Sequence, residues 1–454
     1  MESGKIHSLK YISLYLKGER MNNKERDEKF LKSWLKKKIS ITTSTVVSFL
    51  ITGAIGGGTA YGVNNPGTGG NDAVAIGTGS TTTGDGVAVG ANANATSATS
   101  GGVTSKGVAI GNDAKAKGSV SVGDSASSNY FGVAVGYKAG AENTTTGFSY
   151  SNVTIGSNTR VGVQGTQASQ GIAIGSGVLA DQGAWAKGDQ SISIGGNTIA
   201  SGDSSIAIGG DDLRAVSTKT SSYSDAKFDK NGNKIGGNSN NTASINNIFN
   251  TLTGRGAILH GGTGTDGTKY AQWRNTESGQ GGVALGVKSL SGDIALAIGT
   301  FSEATGTNSV AIGTGAQTPQ SGAVSIGGGS TTYGLQGRQI TDADITLTDG
   351  TTMALTNFAG ASGVFEGSMV SFGKVGNERQ LKNIAPGEVS ATSTDGINGS
   401  QLFAVAKKLG DDISKFKYVS IKSNDAGNKL NDGATANNAI AIGPNASTKV
   451  ESGV

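Results

Sequence analysis

The sequence predicts an all-β fold, a solenoid of short stacked strands, from three observations. A pattern of aliphatic, small, aliphatic, Gly occurs fourteen times. Neighbouring copies mostly start 12 to 14 residues apart, a period typical of solenoids. The composition also fits, with 76 Gly among 454 residues, 4 Pro and 6% aromatics. The copies are VAIG at 74, VAVG at 87, VAIG at 108, VSVG at 120, VAVG at 133, VTIG at 153, IAIG at 172, ISIG at 192, IAIG at 206, VALG at 283, LAIG at 296, VAIG at 310, VSIG at 324 and IAIG at 440.

Two other fold classes share this composition. Collagen needs Gly at every third position, which the sequence lacks. A disordered chain also has low hydrophobicity, but it has no reason to keep Val or Ile at a fixed spacing before Gly. Because there is no Cys, disulfides cannot stabilise the fold. Stacking, backbone hydrogen bonds and association with other chains must do so.

Each copy predicts one short strand. The two aliphatic residues at i and i+2 share one face, and the small residue faces the other side. About 14 residues allow two strands and two tight turns, with Gly at the bends. We expect Val and Ile to form the interior in single file, a core so thin that several chains should share an apolar axis. The predicted trimer-core residues in the repeats are Val74, Ile76, Ile110, Ile174, Ile208, Ile298 and Ile312.

Residues 1–60 read as an extended signal peptide region. They hold 11 of the 37 Lys and Arg and 5 of the 33 Asp and Glu, so the rest of the chain carries 26 basic against 28 acidic residues. An apolar run from Ile39 to Ile51 follows Lys36–Lys38, and Gly58-Thr59-Ala60 offers a cleavage site. A signal anchor is the alternative, and Met21 is a second possible start. We expect export, and no nucleic-acid partner, because the repeats have no basic face.

Residues 61–369 form the predicted head, with interruptions that should be surface loops. Gaps of 19 to 21 residues carry short additions, and two large insertions cover 211–282 and 328–369. The first insertion concentrates aromatic and basic side chains, which suggests a solvent-exposed receptor-binding patch. The alternative is that they pack the insertion onto the roll. The candidates are Tyr223, Phe228, Phe249, His260, Tyr270, Trp273 and Arg274.

The pattern changes at residue 370. Residues 370–401 lack Gly-closed repeats, and 402–417 predict a short coiled-coil stalk. Its seam, spaced 3, 4, 4 and 3, consists of Leu402, Val405, Leu409, Ile413 and Phe416. Residues 418–454 contain one further repeat at 440 and predict the start of a second head-like block that is cut short.

With these elements the chain resembles the trimeric autotransporter adhesins with a YadA-like head. The repeats carry the likeness, together with a neck in which Arg379-Gln380, Thr394-Asp395 and Gln401-Leu402 match the family motif. The resemblance implies a homotrimer of left-handed parallel β-rolls whose neck leads to a coiled-coil stalk. It also implies a bacterial outer-membrane location, and adhesion to host receptors such as the CEACAM proteins or to matrix proteins such as collagen, fibronectin or laminin. The family's C-terminal membrane anchor has no counterpart here, so membrane attachment is expected only through an anchor absent from this chain.

Catalysis is not expected. The chain has two histidines, His7 and His260, and no Cys, so a nucleophile and its base cannot be assembled in a recognisable pattern. Gly262 to Gly267 spell GxGxxG without a framing strand and helix. We therefore expect no catalytic residue, cofactor or metal. Two functions stay open: an adhesin that binds through its insertions, or a structural spacer that projects another tip or mediates autoaggregation.

Overall fold

The protein is described here from a computed structural model covering residues 73–141, 150–163, 168–348, 350–414, 433–443 and 445–452. It divides into two compact units. The described residues up to Gly337, with Phe365–Glu378, form the first. Arg338–Val364 and the described residues from Arg379 onward form the second. The predicted signal region lies outside the described residues. Within them, no helix is long and apolar enough to cross a membrane.

The first unit is a parallel β-roll built on two sheets, which confirms the predicted all-β roll. Each rung of the roll supplies a strand to the first sheet and, in most rungs, one to the second. The fourteen strands of the first sheet are, in order, Val74–Ile76, Val87–Val89, Val108–Ile110, Val120–Val122, Val133–Val135, Val153–Ile155, Ile172–Ile174, Ile192–Ile194, Ile206–Ile208, Val283–Leu285, Leu296–Ile298, Val310–Ile312, Val324–Ile326 and Val370–Ser371. The eleven of the second are Thr81–Thr82, Asn94–Thr96, Lys115–Lys117, Ser127–Asn129, Gly140–Ala141, Arg160–Val161, Trp185–Ala186, Thr198–Ala200, Thr276–Ser278, Leu290–Ser291 and Glu303–Ala304.

The interior of the roll corrects the sequence-based expectation. In the first sheet the small middle residue of the repeat is buried, with Ala88 and Ala109 fully inaccessible. The aliphatic residues point outward instead, and Ile76 and Ile110 stay 38% and 40% exposed. The space between the two sheets is narrow, and the small residues Ala, Ser and Thr fill most of it, although Val161 of the second sheet is also fully buried there. Many buried hydroxyls donate to groups inside the roll, as Ser121 Oγ does to the Lys115 carbonyl oxygen at 2.6 Å.

The Gly that closes each repeat is required by the stacking. Gly123 has φ of 135°, and a Cβ there would lie 2.4 Å from the carbonyl oxygen of Gly136 in the next rung. Gly90, Gly111 and Gly286 show the same conformation and the same conflict. Any residue other than Gly at these positions would therefore force neighbouring rungs apart.

Several interruptions of the repeat leave the roll as separate elements. The gap after Val89 holds a small hairpin, Ala98–Ser100 paired with Val103–Ser105. The second large insertion ends at Val370–Ser371, which pairs with Val324 and Ser325 and so returns the chain to the first sheet. That strand lies just past the predicted boundary at 369.

The second unit contains a hairpin and a helix. Asp342–Thr346 pairs with Thr352–Thr356, and a short 3-10 helix covers Ala361–Gly363. The helix Gly399–Ile413 begins with a capping box between Asn398 and Gln401. Its predicted seam residues are all exposed in the single chain: Leu402, Val405, Leu409 and Ile413. Phe416 lies outside the described residues. The coiled coil, the hand of the roll and the number of chains stay predictions.

Candidate binding surface on the insertion

Within the predicted insertion 211–282, residues 211–275 fold as a small subdomain of the first unit, whereas Thr276–Ser278 pairs with Thr198–Ala200 and is already a strand of the roll. The longest element of the subdomain is the helix Ile245–Thr253, capped by Ser244, whose hydroxyl accepts from the Asn247 amide, and ended by Gly254 in the left-handed conformation. The other elements are the short helix Arg214–Ser217 and three hairpins: Thr220–Tyr223 with Asn241–Ser244, Lys227–Phe228 with Lys234–Gly236, and Gly262–Thr263 with Lys269–Tyr270.

An apolar cluster joins this subdomain to the roll. Phe249, on the helix, is 4% exposed and lies with its ring centre 5.9 Å from that of Phe301, which is fully buried. Phe301 belongs to the roll, in the turn before Glu303–Ala304. Leu213, Ile258 and Leu259 complete the cluster from the insertion. The roll thus contributes an aromatic ring to the core of the insertion.

Charged side chains surround Phe301, and we call Arg255, Arg274, Lys288 and Glu303 the docking cluster. Arg255 Nη2 lies 2.7 Å from Glu303 Oε2, and Arg274 pairs with the other carboxylate oxygen. Arg255 also donates to the Tyr270 hydroxyl at 2.7 Å. Burial would raise the pKa of Glu303, but the two guanidinium groups hold it below its usual range. One roll carboxylate therefore binds two arginines of the insertion.

Lys288 anchors the insertion by binding two backbone carbonyl groups of the insertion. The side chain is fully buried, and Nζ donates to the carbonyl oxygens of Leu259 at 2.7 Å and Gln272 at 2.6 Å. Burial and the nearby Arg274 lower its pKa to about 8, while Asp211 and Asp212 oppose the shift. Lys288 comes from the roll, so the two roll residues that bind polar groups of the insertion are Lys288 and Glu303.

The predicted binding patch is therefore only partly exposed. Phe249 is buried, so the expectation of solvent exposure is wrong for it, while Tyr270 is half-buried and Arg274 is held in the docking cluster. They pack the insertion onto the roll, as the alternative interpretation states, because their rings and charges need the neighbours that Phe301 and Glu303 supply.

Two of the remaining four candidates are exposed at the surface. Phe228 and Trp273 are 59% and 49% exposed, and Tyr223 and His260 are half-buried. His260 stands edge-on to Trp273, with ring centres 6.4 Å apart. Its buried Nδ1 makes no hydrogen bond within the described residues. Exposed aliphatic side chains that the sequence interpretation did not single out lie on the same insertion: Val216, Ile235 and Leu252.

The roll residues under the insertion have a recognisable sequence signal. Two positions after the repeat Gly, most rungs carry Gly or a small polar residue in the left-handed conformation, such as Asn92 or Asp113. Lys288 and Phe301 occupy this position with φ of 59° and 60°. A Phe in that conformation is uncommon. Its presence marks the place where another element covers the turn.

Beside the insertion lies an open cleft of about 360 Å³. Asp266, Tyr333 and Lys374 are among its lining residues, and Lys374 Nζ donates to the Gly254 carbonyl oxygen at 2.9 Å. Among the described residues, no group of three or more His, Asp or Glu could hold a metal ion. The candidate site is an aromatic and aliphatic surface beside a cleft with a mixed polar and apolar lining.

Comparison with known proteins identifies the repeats. Residues 186–211, 291–316 and 434–449 match the family described as the YadA head domain repeat. The chain thus carries YadA head repeats and is similar there to trimeric autotransporter adhesins. No curated protein matches the sequence.

One similar solved structure is the C-terminal YadA-like domain of BPSL2063 from Burkholderia pseudomallei. It is 20% identical, with 43% of this chain and 70% of that chain covered and a TM-score of 0.19. With so low a TM-score the two structures do not superpose as wholes, so this likeness carries no structural argument.

Proposed function

We propose that the chain is the head of a bacterial cell-surface adhesin of the trimeric autotransporter type, and that the exposed face of insertion 211–282 contacts a host receptor. The YadA head repeats support the class. The observation that carries the proposal is the outward face of the first sheet, which is apolar over its length and whose aliphatic residues are half-buried or exposed within the described part of the chain.

This face, called here the apolar strip, consists of the outward aliphatic residues of the first sheet. Because all its strands pair in parallel register, as Val108 does with Val87 and Val120, like positions stack into two continuous columns. Fourteen strands at about 4.8 Å give a strip about 60 Å long. Soluble monomers rarely expose so long an apolar face, and such faces mark interfaces. Two further copies of the chain would cover it, which supports a homotrimer.

The insertion is suited to present a receptor contact. Its core and the docking cluster fix it on the roll, and Trp273 is exposed between Gln272 and Arg274, which Lys288 and Glu303 bind, while Phe228 is exposed on a hairpin of the same insertion. Exposed aromatic side chains on a rigid support are the usual centres of protein interfaces. The partner class is a host cell-surface glycoprotein, with the CEACAM proteins as one candidate and extracellular matrix proteins as another.

The test separates assembly from binding. Wild-type protein and the double variant Phe228→Ser with Trp273→Ser would be compared for trimer mass by light scattering and for capture of host cell-surface and matrix proteins. Tyr137→Ser, 45% exposed on the roll away from the insertion, is the matched control. We expect all three proteins to be trimers and only the double variant to lose capture at least tenfold. Undiminished capture by a trimeric double variant would refute the role of the insertion.

A structural spacer is the second candidate. The third match to the head repeat, at 434–449, and the parallel bridge between Ala434 and Thr448 favour a further repeat block after the neck. A spacer would assemble as a trimer and capture no host protein in the same experiment. That outcome would replace the receptor-binding proposal.

A further inference from the structure

The hairpin Asp342–Thr346 with Thr352–Thr356 has one apolar and one polar face. In antiparallel pairs, residues directly opposite each other share a face, and alternate residues of a strand do so too. Ile345 is opposite Met353, and Ala343 is opposite Leu355, so these four residues form one face. Asp342, Asp344, Thr346, Thr352, Ala354 and Thr356 form the other. The alternation is that of a hairpin with a single buried side.

No described residue of the same chain buries that side. All ten strand residues are exposed. Ile345 and Met353 remain 41% and 45% accessible, and Leu355 remains 38% accessible. A two-stranded hairpin is marginally stable in water by itself and needs its apolar face packed against another element. A covering surface must therefore come from outside the described chain.

We infer that the apolar face of this hairpin packs against a second copy of the chain within the proposed trimer. This rests on the trimer of the proposed function. The covering surface is needed whenever the hairpin is folded, including before any receptor is met, and a sister chain is the partner that is always present. A host protein could cover the hairpin only after binding.

The connectivity favours the same partner. The hairpin is inserted between Val324–Ile326 and Val370–Ser371, the last two strands of the first sheet and of its apolar strip. The chain thus leaves the proposed trimer interface, forms the hairpin and returns to that interface. Gly337 and Phe365–Glu378 already belong to the roll unit, and the Gly337 amide donates to the Glu366 carbonyl oxygen at 2.7 Å. Residues 338–341 and 357–364 alone connect the hairpin to that unit, and 338–341 span at most about 13 Å when extended. Short connections therefore tether the hairpin at both ends to the strands of the proposed interface.

The polar face explains why the hairpin would not simply aggregate. Asp342 and Asp344 place two carboxylates on one strand of that face. Acidic residues on a short exposed strand oppose pairing with other edges. The hairpin therefore has one side available for a partner and one side suited to water, and the partner face is small enough to fit a single neighbouring chain.

Cysteine accessibility tests the contact directly, because the natural chain contains no Cys. Single variants M353C and T352C, adjacent positions on opposite faces, would be made in the full chain and reacted with a maleimide. Both positions are exposed in the single chain. In the trimer we expect M353C to react at least tenfold more slowly than T352C. M353C carrying a benzophenone maleimide should form, on illumination, a product of twice the chain mass.

Light scattering on the same samples separates the possible failures. A trimer in which both variants react equally fast would overturn the hairpin contact and leave the trimer intact. A cross-link confined to one chain would also overturn it. A monomeric protein would overturn the trimer and the hairpin contact together. Protection that appears only after host protein is added would assign the hairpin to the receptor instead.

Hydrogen exchange on the unaltered chain gives an independent measurement. An uncovered hairpin exchanges its amides close to the rate of an unfolded peptide. We expect the amides of 342–346 and 352–356 to be protected at least tenfold beyond that rate in the trimer. Unprotected amides would contradict the contact even if the cysteine variants failed to assemble.

Discussion

The attachment of the insertion to the roll can be tested by removing one negative charge. Glu303 accepts hydrogen bonds from Arg255 and Arg274, and from Gln317 Nε2 at 2.9 Å. In Glu303→Gln the side chain keeps its shape, but an amide nitrogen replaces one acceptor. Two buried guanidinium groups then lose the charge that neutralises them.

The expected cost follows from the burial of the cluster. The side chains of Arg255 and Glu303 are 5% and 11% exposed, and that of Arg274 is 18% exposed. Removing one partner of a buried ion pair costs about 3 to 5 kcal/mol, because the other charge stays desolvated. A loss of about 3 kcal/mol should lower the protection of insertion amides on the order of 100-fold. The rungs before residue 206 should keep theirs, since they share no contact with Glu303.

Hydrogen exchange followed by mass spectrometry reports both regions in one experiment. Asp85→Asn is the matched control, because Asp85 pairs with Lys106 at 2.8 Å while their side chains stay 39% and 49% exposed. That pair should be worth no more than about 1 kcal/mol. Insertion amides that lose less than tenfold protection in Glu303→Gln, or no more than in Asp85→Asn, would refute the attachment by charge.

Three further predictions concern the roll and its anchor. Ala109→Val should destabilise the roll by about 1 to 3 kcal/mol in urea unfolding, since Ala109 is fully buried among other alanines; an unchanged midpoint would contradict a small-residue core. Gly123→Ala should cost about 3 kcal/mol or more, against about 1 kcal/mol for Gly101→Ala, which has φ of 56° and open space around it; equal losses would argue against the stacking conflict. The pKa of Lys288 falls from 10.5 to about 8 on folding. Between these pH values the unfolded chain binds more protons than the folded chain. The free energy of unfolding should therefore rise with pH, by at most about 1.4 kcal/mol per pH unit. Lys288→Met should lack this rise in urea titrations between pH 8 and 10, and an identical slope in both proteins would contradict it.

The candidate site shows where residue type alone fails to predict exposure. Phe249 and Trp273 are both aromatic residues of the same insertion, yet one is 4% and the other 49% exposed. The difference arises because Phe249 lies on the helix that covers Phe301, a residue more than fifty positions away. Periodicity within the insertion could not reveal that contact, whereas the unusual Phe at a left-handed turn position of the roll was a usable signal.

The sequence by itself determined the repeating strands and the two strands per rung, because these follow from spacing and from Gly at fixed positions. The tertiary structure decided which side of each strand faces inward. Alternation says only that Ile110 and Ala109 face opposite ways, and the width of the rung selects Ala109 for the interior. The tertiary structure also decided which insertion residues reach solvent. Three roll residues, Glu303, Lys288 and Phe301, contact insertion residues that are distant in the sequence, and these contacts bury them.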